Sequence, residues 1–191
     1  MMIIGDVLFW KNQLSNYLQA QVNAVEAHVH KHMTAADLDQ SDDEIAARML
    51  EAAIVGSLSI DFDNPEREVK ERRVTVRDHF SGNVTIDGVR VTKSFAFTGH
   101  AELFYLRPST FDSGPPHGTV QAGRIILGYE GRNDPDGIKR SIAEQENQLK
   151  QYATWSKAEV EAHEARLPGL LKNAVERRRK SLQELNKLSD F

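Results

Sequence analysis

The sequence contains no cysteine. Disulfide frameworks, thiolate metal sites and cysteine nucleophiles are therefore excluded together, and the absence agrees with a reducing compartment, so a cytoplasmic protein is expected. Proline is missing from residues 1 to 55, where Gly5 is the only glycine. That block lacks the two residues that most often punctuate secondary structure. Nor is there an apolar run of membrane-spanning length at the N-terminus. MMIIGDVLFWKNQ carries about nine apolar residues, with Asp6 inside and no basic cluster before them, too short and wrongly flanked for a signal peptide or a spanning helix. No membrane partner is expected. A net charge of −4 removes any general electrostatic pull on nucleic acid, so such binding would need a local patch.

What the chain does contain falls into three blocks of composition. In residues 1 to about 55, Trp10, Leu14, Tyr17, Leu18, Val22, Val25 and Val29 recur at three and four, the stripe of a long amphipathic helix. Ser41-Asp42-Asp43-Glu44 has the form of a capping box and opens a second helix with Ile45, Met49 and Ala52 or Ala53 on its apolar face. These helices are expected to pack on a sheet. Residues 56 to about 132 alternate Thr, Val, Ile and Phe with polar residues and are punctuated by glycine and proline. Asp87-Gly88 between Val84-Thr-Ile86 and Val89-Arg-Val91 reads as a tight hairpin, and Ala122-Gly123 as another. Residues 133 to 191 return to helix. Asp134-Pro135 supplies a carboxylate cap and a proline at the first position; Ile138, Ile142, Leu149, Tyr152, Val160, His163 and Leu167 line one face, with a phase drift near Ser156. Pro168-Gly169 is expected to break this helix and start the last one. The fold class is α+β: N-terminal helices, a small antiparallel sheet or sandwich of roughly five to seven strands, and a C-terminal antiparallel helical hairpin.

Several catalytic patterns are approached and missed. His100-Ala101-Glu102 has the H-x-E form of zinc deaminases, whose cysteine pair this chain lacks. His163-Glu164 begins H-E-x-x-H, but position 167 is leucine. Glu68-Val69-Lys70 resembles the end of a metal-dependent nuclease site, with only Asp63, beside the Asn64-Pro65 turn, as a partner acid. The chain is therefore expected not to be an enzyme and to need no cofactor.

Three groups remain as candidate sites, each with a structural alternative. His28 and His32, at i and i+4 on one helix face, have the spacing of a two-histidine metal clamp; the alternative is a solvated last turn, where imidazoles sit well against the helix C-terminus. Arg177-Arg178-Arg179-Lys180, with Arg166 and Lys172, forms the most basic run, which would suit phosphate or DNA; the alternative is a solvated face offset by Glu176 and Glu184. In LRPSTFDSGPPHG (106–118), Arg107, Ser109 and His117 are the groups able to meet a partner. Here the alternative is a corner stiffened by proline, with Arg107 extended before Pro108 and Leu106 and Phe111 anchored in the core.

The order SFAFTGHAELFYLRPSTF, PPHGTV, RIILGYE and an acid-proline helix start resembles the N-terminal region of an uncharacterised bacterial family. The residues that carry the likeness are Phe97, Gly99, Glu102, Leu103, Phe104, Arg107, Pro108, Ser109, Thr110, Phe111, Pro115 and Pro116, and LPGLLKNAVERRRKSL is also similar. Longer members of that family carry a C-terminal restriction-endonuclease-like domain of the PD-(D/E)xK type. The resemblance implies a role beside a nuclease in defence against foreign DNA, as a module that precedes such a domain or stands alone. It transfers no catalytic residue, because those acids would lie beyond Phe191. The leading expectation is a non-enzymatic sensing, regulatory or self-assembly module, a homo-oligomer with a nuclease domain in cis or in trans. The alternatives are a DNA-binding module using the basic helix and a metal-dependent enzyme using His28 and His32.

Overall fold

The computed structural model describes residues 2–78 and 82–188. It is α+β, and it divides into two units that interleave along the chain: residues 1–14 with 57–157, and residues 15–56 with 158–191. This differs from the three consecutive blocks read from composition, because the first residues join the β-rich unit and the long third helix is divided between the units.

The β-rich unit is built on a seven-stranded sheet. Its strands are β1 (Met2–Ile4), β2 (Asp6–Val7), β4 (Ser59–Ile60), β5 (Glu66–Asp78), β6 (Gly82–Thr98), β8 (His117–Gln121) and β9 (Arg124–Gly131). Every pairing in this sheet is antiparallel, with β6 at the centre between β9 and the β4 and β5 edge. A separate parallel pair joins β3 (Asn12–Gln13) to β7 (Leu106–Arg107). The helix α3 (Pro135–Glu164) adds its residues up to Lys157. Phe9, Phe95, Phe104, Leu103, Ile125, Leu127, Leu149 and Tyr152 are fully buried, and the rings of Phe9, Phe104 and Phe97 meet in sequence at 5.7 and 4.9 Å.

Three expectations are corrected in this unit. Trp10 does not head a helix: Met2–Val7 form strands and the first helix begins at Leu14. The reason is long-range, since Met2–Ile4 pair with Gly128–Glu130 and the left-handed Gly5 lies where a side chain would collide with the Gly118 backbone. Asp87-Gly88 does not turn either. β6 runs straight through it, and the lost Cβ at Gly88 instead makes room for the Gly131 carbonyl and the Val74 side chain. The β5–β6 connection falls at 79–81, outside the described residues. Ala122-Gly123 does form the expected tight turn, both residues left-handed at φ 49° and 73°. The third correction is Phe111, which is 47% exposed rather than a core anchor; Leu106 is the buried one.

The second unit is helical: α1 (Leu14–His32) from Ser15 onward, α2 (Asp42–Ala53), the last turns of α3 and α4 (Leu167–Asn186). Val25, Val29 and Met33 pack with Ile45, Ala46 and Met49 of α2 and with Leu171, Ala174, Val175 and Leu182 of α4. The capping box at Ser41 forms, Ser41 Oγ accepting from the Glu44 amide while the Ser41 amide donates to Glu44. At the head of α3, Asp134 Oδ1 accepts from the Gly137 amide. The break between α3 and α4 lies at Ala165-Arg166, and Pro168 sits in the first turn of α4, where no intrahelical donor is lost. α3 and α4 thus form a hairpin-like bent helix.

Candidate partner-docking site

The 106–118 segment is held by α3 through polar side chains set into that helix's apolar stripe. Gln145, Gln148 and Tyr152 follow at i, i+3 and i+7, one face of a helix. Tyr152, fully buried, donates its hydroxyl to the Asp112 carbonyl at 2.7 Å and accepts from the Asp112 amide at 3.2 Å. Burial is the main reason its hydroxyl pKa is raised. Gln145 accepts from the His117 amide at 2.7 Å and donates to Gln148 at 3.1 Å. The Pro116 carbonyl accepts from the Leu8 amide at 2.8 Å, and Asp112 Oδ1 from the Gly114 amide. The 112–118 half of the segment is therefore a structural corner.

The 107–111 half does something different. Arg107 is tied through its backbone to β3, Gln13 standing opposite it. Its guanidinium lies 5.3 Å from the Trp10 ring centre and 4.5 Å from that of Phe111. The two rings meet edge to face at 6.3 Å. Trp10 is 43% exposed and Phe111 47%, so an arginine and two large aromatics share one patch of surface. Beside it, Lys11 lies over the Tyr105 ring at 4.5 Å. Phe9, just before Trp10, is left-handed at φ 52°. A bulky residue there costs on the order of 1–3 kcal/mol, offset by the full burial of its ring against Phe104 and Tyr152. Of this cluster the sequence singled out Arg107 alone. The partner rings escape a sequence reading because Trp10 falls in the helical periodicity of the N-terminal stripe and Phe111 reads as a core anchor. Ser109 is exposed, and His117 is half-buried in β8 opposite Val7.

Of the other two candidate groups, the histidines meet each other and four of the basic side chains are engaged within the helical unit. His28 and His32 do come together, ring centres 4.5 Å apart, near the C-terminal end of α1. Burial first, then the charges of His32 and Lys31, hold the His28 pKa below its usual value. Among the described residues no group of three or more histidines and acids is placed to hold a metal. In the basic run, Arg179 donates to Asp42 at 2.6 Å, to the Leu38 carbonyl at 2.6 Å and to the Gln40 carbonyl. Arg177 pairs with Glu26, Lys172 with Asp43 at 2.8 Å, and Arg178 reaches the Met33 carbonyl at 3.4 Å. Arg166 and Lys180 are exposed. The near misses are occupied as well: Glu164 accepts from the Gly56 amide at 2.7 Å, and Glu68 pairs with Lys70 on its own strand at 2.7 Å. Among the described residues no helix is long and apolar enough to cross a membrane.

Comparison of the chain with protein-family models, with curated proteins and with solved structures gives no match.

Proposed function

We infer that this chain is a non-enzymatic regulatory or self-assembly module that works beside a bacterial nuclease domain, in the same chain or in trans. It docks that partner through Trp10, Arg107 and Phe111. The observation that carries the docking is the guanidinium lying over two exposed rings, Trp10 and Phe111, the latter followed directly by Asp112, which Tyr152 holds. Tryptophan and arginine dominate binding energy at protein interfaces when they are held rigidly and desolvated by a partner. The nuclease association rests on the resemblance of residues 94–130 to an uncharacterised family whose longer members carry a nuclease domain, which implies a role in defence against foreign DNA. The engagement of Arg177, Arg178, Arg179 and Lys172 within the helical unit favours a protein partner over DNA on that face.

The test looks for a nuclease domain encoded in the same or a neighbouring reading frame, whose absence overturns the association, pairs the chain with it and follows cleavage of plasmid DNA. Adding the chain changes the cleavage rate, and W10A and F111A each abolish that change while altering stability by under about 1 kcal/mol. Cleavage indifferent to the chain, or regulated equally well by both variants, overturns the reading. Direct DNA binding at low salt that weakens when Arg177, Arg178 and Arg179 are neutralised would support the basic-helix alternative instead.

A further inference from the structure

β5 lies at the edge of the sheet: it pairs with β6 along its whole length, and among the described residues no strand occupies its other side. Residues Glu66 to Arg73 are all exposed. Such an edge offers a row of unpaired backbone donors and acceptors, and charged residues often guard it against association. The charges here are arranged in a more particular way. In Glu66-Arg67-Glu68-Val69-Lys70-Glu71-Arg72, every residue equidistant from Val69 has the opposite sign: Glu68 and Lys70, Arg67 and Glu71, Glu66 and Arg72.

We propose that β5 is a dimerisation edge, pairing antiparallel with β5 of a second copy of this chain about a two-fold axis at Val69. This rests on the self-assembly form of the function proposed above and supplies its surface. In that register Val69 meets Val69 of the second copy, and each of the three acid–base pairs forms twice, once on either side of the axis. Residues directly opposite in an antiparallel pair project on the same face, so each pair is in contact.

Two features of the single chain agree. On its inner side β5 sets Arg67 opposite Lys93, like charges that Glu71 of the second copy would balance. Lys93 is partly balanced already, by Glu146. Glu68 and Lys70 pair with each other in the single chain, Glu66 with Arg124 and Arg72 with Glu130, ion pairs that dimerisation would exchange for the pairs across the axis. Further, Val69 is 68% exposed at the rim of an apolar groove of about 240 Å³ lined by Val91, Ile138 and Ile142. A second copy would cover that side chain and extend the apolar face past the edge.

Sedimentation velocity across a concentration series tests this. The chain forms a reversible dimer. E68K, which sets a lysine against Lys70 of the other copy twice, weakens it roughly tenfold or more. The double reversal E68K/K70E restores the original affinity. V69K, placing two like charges on the axis, gives monomer. Circular dichroism and melting curves confirm that each variant is folded. A dimer indifferent to both E68K and V69K overturns the β5 edge and leaves self-assembly standing. A strict monomer overturns both, and leaves the Trp10–Arg107–Phe111 surface to be judged by its own test.

Discussion

In the β-rich unit Arg107 lies over the exposed rings of Trp10 and Phe111, whereas in the helical unit Arg179 is committed to the Leu38 and Gln40 carbonyls and the Asp42 carboxylate. The same side chain serves a surface in one place and the architecture in the other. The difference follows from what each unit lacks. In the first, the backbone of the 112–118 corner is met by Tyr152 and Gln145, so Arg107 is not called on there. The segment between α1 and α2 in the second is neither helix nor strand over Leu38–Gln40, and its carbonyls need donors from elsewhere. A basic run in sequence is thus weak evidence for phosphate binding until the acids and carbonyls around it are known.

F104A removes a fully buried ring that touches Phe9 and Phe97; a loss of about 3–5 kcal/mol is expected by denaturant unfolding, with hydrogen exchange rising in β6, β8 and β9. R179A leaves the Leu38 and Gln40 carbonyls and Asp42 without their donor. Roughly 1–3 kcal/mol is expected, and exchange should rise in α2 and α4 while β6 and β9 keep their protection. If R179A instead costs nothing, the arginine is free to serve a ligand and the contrast between the units fails.

Y152F removes the hydroxyl that holds Asp112 and should cost about 1–2 kcal/mol. Its sharper readout is faster exchange confined to the 109–116 segment, together with weakened docking through Phe111. The smallest effect concerns pH. His163 is 5% exposed, its Nε2 has no hydrogen-bond partner among the described residues, and burial, above the opposing charge of Glu164 and the reinforcing one of Arg166, lowers its pKa from 6.5. The unfolded chain therefore binds the proton first. Stability of the helical unit is full above pH 6.5, falls as pH drops through the interval down to the folded-state pKa, and then levels off. H163Q should flatten that slope in melts taken from pH 7.5 to 5, and an unchanged slope would assign it to His28, which is shifted the same way.

Part of this was legible because its causes are local. The capping box at Ser41, the Asp134-Pro135 helix start and the Ala122-Gly123 turn each depend on residues within four positions of one another. The stripes of α1 and α3 follow from helix periodicity alone, and the phase drift near Ser156 marks where a buried serine replaces an apolar residue. Gln145 and Tyr152 could have been read as loop anchors, being polar groups in an apolar stripe.

Where neighbours along the chain set the backbone, local pattern is enough to give the class of a segment: which stretches coil, where they are capped, and that the middle of the chain is extended. Contacts between distant segments set the rest. Met2–Val7 are strands because Gly128–Glu130 and His117-Gly118 are their partners, more than a hundred positions away. Asp87-Gly88 runs straight because Gly131 and Val74 approach it from neighbouring strands. Trp10, Arg107 and Phe111 became one surface because β3 and β7 pair in parallel. In each case the deciding hydrogen bonds and contacts join residues far apart in the chain, and no local pattern carries the register of a pairing whose other half lies elsewhere.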